Sequence, residues 1–434
     1  MAARLQQIGR SEHLAFLWAL AKWIVLGGMV GILSGTASAL FLVLLEKATT
    51  YRVAHPSLLF LLPLAGFAVG WTYWRFAGAA SRGNNLIIEQ VHLNQQKIPL
   101  RMTPLVLAGT LLTHLFGGSA GREGTAIQMG ASLADGLRRV LGLQNEDRRL
   151  MLMAGISGGF ASVFGTPIAG FVFGMEVQSI GRIRYEGMIP CLVAAIVGDF
   201  VTRAWRVQHS HYPLMATVEI DALLLIKVII AGICFGLTSL LFIELVHRIK
   251  YLSKKYIAWS PLHPVIGGMV IIALTLIVGS QDYNGLSLPL IQQSMNGTGV
   301  IAIAFLLKIL FTTVTLGTGY MGGEVTPLFV IGATLGYTLG RLLGVDPAFL
   351  AAVGFVAVFA GASNTPLACT LMGIELFGSG ALLYLAVGCF VAYLASGHRG
   401  IYVTQLIGTS KVHGADVIPD ESLEVHAKRR TPHF

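Results

Sequence analysis

Gly121-Arg122-Glu123-Gly124-Thr125 and Gly322-Gly323-Glu324-Val325-Thr326-Pro327 are near-copies of one motif, each setting a glutamate in apolar, glycine-rich sequence. An ionised carboxylate at a bilayer midplane costs roughly 2.5 to 3.5 kcal/mol even on a lenient insertion scale, so it seldom persists without a partner or a task. Outward from the glutamates the match continues. Gly130-Ala131-Ser132-Leu133 and Leu141-Gly142 follow Glu123, as Gly332-Ala333-Thr334-Leu335 and Leu343-Gly344 follow Glu324. Beyond them, Phe160, Thr166-Pro167-Ile168-Ala169 and Met175-Glu176-Val177 are echoed by Phe359, Thr365-Pro366-Leu367-Ala368 and Ile374-Glu375-Leu376. Internal repeats in a membrane chain predict two structural halves about a pseudo-two-fold axis, with the ion or substrate site where they meet.

The composition fixes the solvent. Of 434 residues, 54% are hydrophobic and only 12% charged, against about 25% charged in soluble domains. The run from Ile24 to Leu45 has no charge, and similarly apolar stretches recur around residues 57–74, 222–243, 263–280 and 296–343. Such runs can cross about 30 Å of hydrocarbon. Shorter runs, broken by Gly and Pro, predict helices that stop partway through the membrane inside protein. The net charge of +9 is scattered over segment ends, which argues against a nucleic-acid partner. Arg4, Arg10 and Lys22 precede the first span and Lys411, Lys428, Arg429 and Arg430 follow the last. The positive-inside rule therefore puts both termini in the cytoplasm of a multi-pass inner-membrane protein, with the repeats in opposite orientations. The first long apolar run starts too late, and is too long, for a cleavable signal.

Cys191, Cys234, Cys369 and Cys389 stand apart in apolar sequence and read as small core hydrophobes. The histidines form no ligand cluster, His92 and His114 being the nearest to the motifs, so no metal or cofactor is expected. Along the chain the reading is an amphipathic cytoplasmic helix over 1–21, built on Leu5, Leu14, Phe16 and Leu17. After it come a first membrane repeat over 22–206, a linker over 207–218, a second repeat over 219–407 and a short polar tail over 408–434. The tail is too short for a folded regulatory domain.

Gly-Arg-Glu-Gly at 121–124, the two repeats, Gly323-x-x-x-Pro327 and the late Tyr402 resemble the CLC family of chloride channels and proton-coupled anion antiporters, from about Ile24 to Ile407. Thr125 stands where most members carry Pro. Gly83-Asn84-Asn85-Leu86-Ile87 stands where they carry a Gly-Ser-Gly-Ile-Pro type loop. With Gly-Glu-Val-Thr-Pro at 323–327, these features look like the fluoride-exporting bacterial subclass. The resemblance implies an all-α polytopic fold of two inverted-topology repeats, with broken helices meeting at a midplane anion site, in a homodimer surrounded by lipid. It also implies that Asn84 replaces a serine that favours chloride elsewhere, and that Val325 replaces an apolar neighbour.

The residues support a site on their own chemistry. Gly83, Gly117-Gly118, Gly121 and Gly322-Gly323 each precede an apolar helical run, so free N–H groups of helix N-termini can face one point. Each terminus carries about half an elementary charge, enough to hold an anion without trapping it. The same glycines could instead serve only close helix packing. Gly121, Arg122, Gly124, Val325 and Thr326 fall at these termini, and Asn84, Thr326 and Tyr402 offer donors to a small, strongly hydrated anion. Glu123 reads as the gate: ionised, it is a tethered anion that occupies the site, and protonation releases it. A simple ion pair with Arg122 is disfavoured because adjacent helix residues do not face each other. Glu324 either donates a hydrogen bond to the anion as a neutral acid or holds the proton pathway. Many CLC antiporters carry two successive glutamates on the intracellular side, the second serving as an internal proton acceptor, whereas Glu176 here is followed by Val177. Glu375, its repeat counterpart, reads as structural. The expected function is proton-coupled fluoride export; a chloride/proton antiporter or chloride channel of the same fold, and more remotely an intramembrane acid/base enzyme, are the alternatives.

Overall fold

In the computed structural model the described residues are 2–210, 212–414 and 416–430. Met1 and the side chains of Arg4, Leu5, Arg10 and Arg430 lie outside that description. The first half carries α1 (Ala2–Ala54), α2 (Leu62–Thr72), α3 (Asn84–Leu93), α4 (Met102–Leu115), α5 (Glu123–Val140), α6 (Asn145–Phe164), α7 (Pro167–Glu176) and α8 (Met188–Ala204). The second half repeats the order: α9 (Ala222–Tyr256), α10 (Leu262–Val278), α11 (Leu288–Met295), α12 (Ala304–Gly317), α13 (Val325–Leu343), α14 (Pro347–Ser363), α15 (Pro366–Phe377) and α16 (Leu382–Ala395). Strands β1 (Ser179–Ile180) and β2 (Leu406–Ile407) pair in parallel, and α17 (Leu423–Arg430) is the last helix among the described residues.

The repeats read from sequence are thus repeats of structure. Both α7 and α15 open on Pro after Thr166 and Thr365, a residue whose fixed φ and missing N–H suit the first helical position. Five helices among the described residues are long and apolar enough to span a membrane. Shorter apolar helices such as Met102–Leu115 and Pro167–Glu176 stop inside the protein, where packed neighbours can satisfy their ends. Helices α6 and α14 form the buried centre. The crossing of α5 on α6 needs glycine: a Cβ on Gly155 would lie 2.7 Å from the Gly130 carbonyl oxygen.

One expectation changes. Residues 2–21 are not a separate surface helix but the first part of α1, which runs unbroken to Ala54. No Gly or Pro occurs from Ser11 to Leu26, so nothing in the chain stops the helix there. The short polar tail beyond 407 packs back on the segment before it: Ile407 N–H donates to Glu421 O at 2.8 Å and Leu423 N–H to Gln405 O at 3.0 Å. The four cysteines are free, three of them buried.

Candidate functional site

The two motif loops meet backbone to backbone. Gly121 N–H donates to Gly323 O at 2.6 Å and Gly323 N–H to Gly121 O at 2.8 Å, an antiparallel bridge between equivalent residues of the two repeats. From this bridge α5 and α13 run away in opposite halves, leaving both N-termini at one point. The approach needs glycine at Gly323, where a Cβ would lie 2.7 Å from the Gly124 backbone nitrogen, and it is tight at Gly124, where one would lie 3.1 Å from both Asn84 Nδ2 and Gly323 Cα. Asn84, the first residue of α3, therefore joins the same junction.

Glu123 is fully buried and crosses the junction. Its Oε2 accepts from Thr326 N–H at 3.0 Å and from Arg122 N–H at 3.1 Å, and its Oε1 accepts from Thr326 Oγ. A carboxylate that only accepts, from the N-terminus of the opposite repeat's helix, occupies the place an anion would take. Arg122 Nε stands 3.5 Å from Glu123 Oε1, yet it makes no hydrogen bond. The expectation that neighbours would not face each other fails because Arg122 caps α5 from outside, with φ −114° and ψ −23°, so the helical spacing rule does not reach it.

Two small cavities flank the bridge, each with about 10 Å³ of free volume, room for about one water-sized sphere. The first is lined by Arg122, Glu123, Phe164, Ser210, Tyr212, Leu288, Ile291, Thr326, Phe329, Phe355 and Leu376. The second is lined by Asn84, Ile87, Ile88, Ile127, Ile156, Phe173, Val177 and Tyr402. They are repeat-equivalent, with α11 walling one and α3 the other. Phe329, Phe355 and Leu376 answer to Ile127, Ile156 and Val177. In the second cavity Asn84 Oδ1 and the Tyr402 hydroxyl are buried without a hydrogen-bond partner, a costly state that a bound polar species relieves.

Val325 is buried in the first turn of α13. Glu324 precedes it as a half-buried N-cap whose side chain makes no capping bond. In the register of the Gly121–Gly323 bridge Glu324 answers to the N-cap Arg122 and Val325 to Glu123, so the two glutamates of the matching motifs are one residue out of step in space and the Glu123–Thr326 bond has no mirror; Thr125 Oγ pairs with Thr110 Oγ at 2.7 Å. Lys250 of α9 lies within electrostatic reach of Glu324.

Several features escaped the sequence reading. An aromatic column links the cavities: Phe329 stacks on Phe355 at 4.0 Å and Phe160 on Phe173 at 4.2 Å, with Phe164 and Phe359 between. Phe160 and Phe359 stood in the repeat blocks, but as repeat markers only. Glu176 accepts from Leu367 and Ala368 N–H at 3.1 and 2.8 Å. Glu375 accepts from Ile168 and Ala169 N–H at 2.9 and 2.7 Å. Each glutamate caps the other repeat's helix.

A helical membrane protein of two inverted repeats, with a carboxylate at the meeting point of broken helices, is an ion channel or ion transporter by architecture. The family model described as voltage gated chloride channel matches residues 65–397, and the chain belongs to that family, the CLC proteins. It is 50% identical over 419 residues to the chloride/fluoride channel protein of Pseudomonas syringae pv. tomato, covering 95% of this chain and 92% of the relative. A solved CLC-type fluoride/proton antiporter superposes with TM-score 0.85 at 32% identity, over 89% of this chain and 98% of that one. A slow cyanobacterial Cl⁻/H⁺ antiporter shares the fold, with TM-score 0.77 at 21% identity over 86% of this chain and 94% of that one.

Proposed function

We propose that this protein exports fluoride in exchange for protons, as a homodimer in the bacterial inner membrane with both termini in the cytoplasm. Glu123 is the gate and proton carrier, and Glu324 the second acid of the cycle. Asn84, Gly121, Arg122, Gly124, Val325, Thr326 and Tyr402 form the anion path. The observation that carries this reading is the Glu123 carboxylate seated on Thr326 N–H and Oγ at the start of α13. A group that is an anion when ionised and vacates the place when protonated links proton uptake to anion passage. The unpartnered Tyr402 hydroxyl supplies a donor on the far side of the bridge, in exchange for part of the hydration a small anion loses, and Asn84 offers its Nδ2 amide group there, its Oδ1 being an acceptor. The names of the relatives support fluoride and proton as substrates.

The test is efflux from liposomes containing only this protein, loaded with fluoride or chloride and followed by ion-selective electrode and external pH. Fluoride is expected to leave much faster than chloride, with protons moving the opposite way. Equal rates, or faster chloride, would replace this reading by a chloride transporter of the same fold.

A further inference from the structure

Lys308 of α12 is fully buried and belongs to neither cavity. Its Nζ lies 2.9 Å from Ser119 Oγ, 3.2 Å from Tyr283 O, 2.9 Å from Gly285 O and 2.8 Å from Ser287 Oγ. None of these partners is a carboxylate. An ammonium has three N–H donors and no acceptor, so oxygens converging at these distances enclose it as they would a bare monovalent cation. Burying such a charge is expensive, and here neutral dipoles alone offset the cost. A second cation, the buried Arg52, lies beside the same cage, its Nη1 3.5 Å from Gln281 Oε1.

The cage oxygens come from two loops. Residues 116–122 join α4 to α5 and end at Glu123; residues 279–287 join α10 to α11 and end at Leu288, a wall of the first cavity. The loops are stitched together, with Gly285 N–H donating to Gly118 O at 3.1 Å and Asn284 Nδ2 to Gly117 O at 2.7 Å. Ser119 N–H donates to Thr315 Oγ at 3.1 Å, which ties both to α12.

We infer that Lys308 is a positioning residue, a tethered cation that locks these two loops so that the gate carboxylate and the cavity wall facing it keep one spacing. Its effect on transport rests on the proposed exchange function, whereas the lock itself does not. Amide exchange of segments 116–122 and 280–288 in detergent therefore reads the lock without transport. In Lys308→Met, which fills the space without charge, both segments are expected to exchange at least about tenfold faster, as loss of a charge-assisted hydrogen bond implies. In Lys308→Ala, millimolar methylammonium is expected to restore protection by occupying the cage. In Ser119→Ala, which keeps the cation, only segment 116–122 loosens, and anion efflux from liposomes falls about tenfold. This variant carries the test if the Lys308 variants do not fold.

Wild-type exchange in Lys308→Met or in Ser119→Ala overturns the lock, and failure of methylammonium to restore Lys308→Ala overturns the tethered cation. Unchanged efflux in a loosened Ser119→Ala overturns the positioning role. A wild-type protein that moves no fluoride leaves the exchange results standing and refutes only the exchange function.

Discussion

One carboxylate and one threonine hold the centre of this molecule. Thr326 presents both its N–H and its hydroxyl to Glu123, so on the proposed function the donors that bind the gate are the donors an anion meets once the gate has left. Thr326→Val keeps the helix N-terminus and removes the hydroxyl. A hydrogen bond to a charged partner contributes about 1.5 to 3 kcal/mol, so fluoride turnover is expected to fall at least about tenfold, and uphill movement driven by a proton gradient with it. Efflux at the wild-type rate in liposomes would remove the hydroxyl from the path. Glu123 and Thr326 were legible as residues of a motif, because a lone acid in apolar sequence is conspicuous. Lys308 sent the same signal, a single charge in an apolar run. Its partners, however, are carbonyls and hydroxyls of two loops, and no spacing in the sequence encodes that cage.

At the scale of elements, the decisive contacts are reciprocal. Glu176, at the end of α7, caps α15, and Glu375, near the end of α15, caps α7. A carboxylate accepting from two free N–H groups at a helix N-terminus combines capping with a favourable dipole interaction. This gives Glu176 a structural task. Glu176→Gln and Glu375→Gln are each expected to cost about 1 to 2 kcal/mol of stability, the more buried Glu176 the more, and to leave proton coupling intact. Thermal unfolding in detergent and proton counting in liposomes read the two parts separately, and coupling lost in Glu176→Gln alone would return it to the proton route. The repeat blocks holding these residues were visible as matching letters. Their mutual capping was not, because it depends on the halves meeting antiparallel. The unbroken α1 was misjudged for the opposite reason, since a change of polarity near residue 21 read as a boundary where the backbone had none.

Across the whole molecule the two halves are equivalent in backbone and unequal in chemistry. The cavity beside α11 holds the Glu123 carboxylate, while its counterpart beside α3 holds Asn84 and Tyr402 with polar atoms unpartnered. A symmetric frame thus carries two chemically different cavities. The chain immediately beyond Tyr402 keeps that residue in place. Gln405 donates to Val177 O at 2.9 Å and to Ser363 O at 2.8 Å, β2 pairs with β1, and the tail returns across it. Ile407 N–H donates to Glu421 O at 2.8 Å, Leu423 N–H to Gln405 O at 3.0 Å and Glu424 N–H to Val403 O at 2.9 Å. The tail itself is clamped by Glu421, which accepts from Arg429 at 3.0 Å and lies 2.7 Å from His426 Nδ1. Deleting residues 408–434 removes these bonds while sparing every residue of both cavities. At about 1 kcal/mol for each of these three backbone bonds and for the one from Asp420 N–H to Ile407 O at 2.8 Å, the segment from Tyr402 to Ile407 is expected to loosen by about 4 kcal/mol. The truncated protein should then unfold at lower temperature and move fluoride more slowly, with the proton-to-fluoride ratio unchanged because Glu123 and Thr326 are untouched. Turnover and unfolding temperature equal to those of the full chain would mean that Gln405 and the β1–β2 pair alone hold Tyr402.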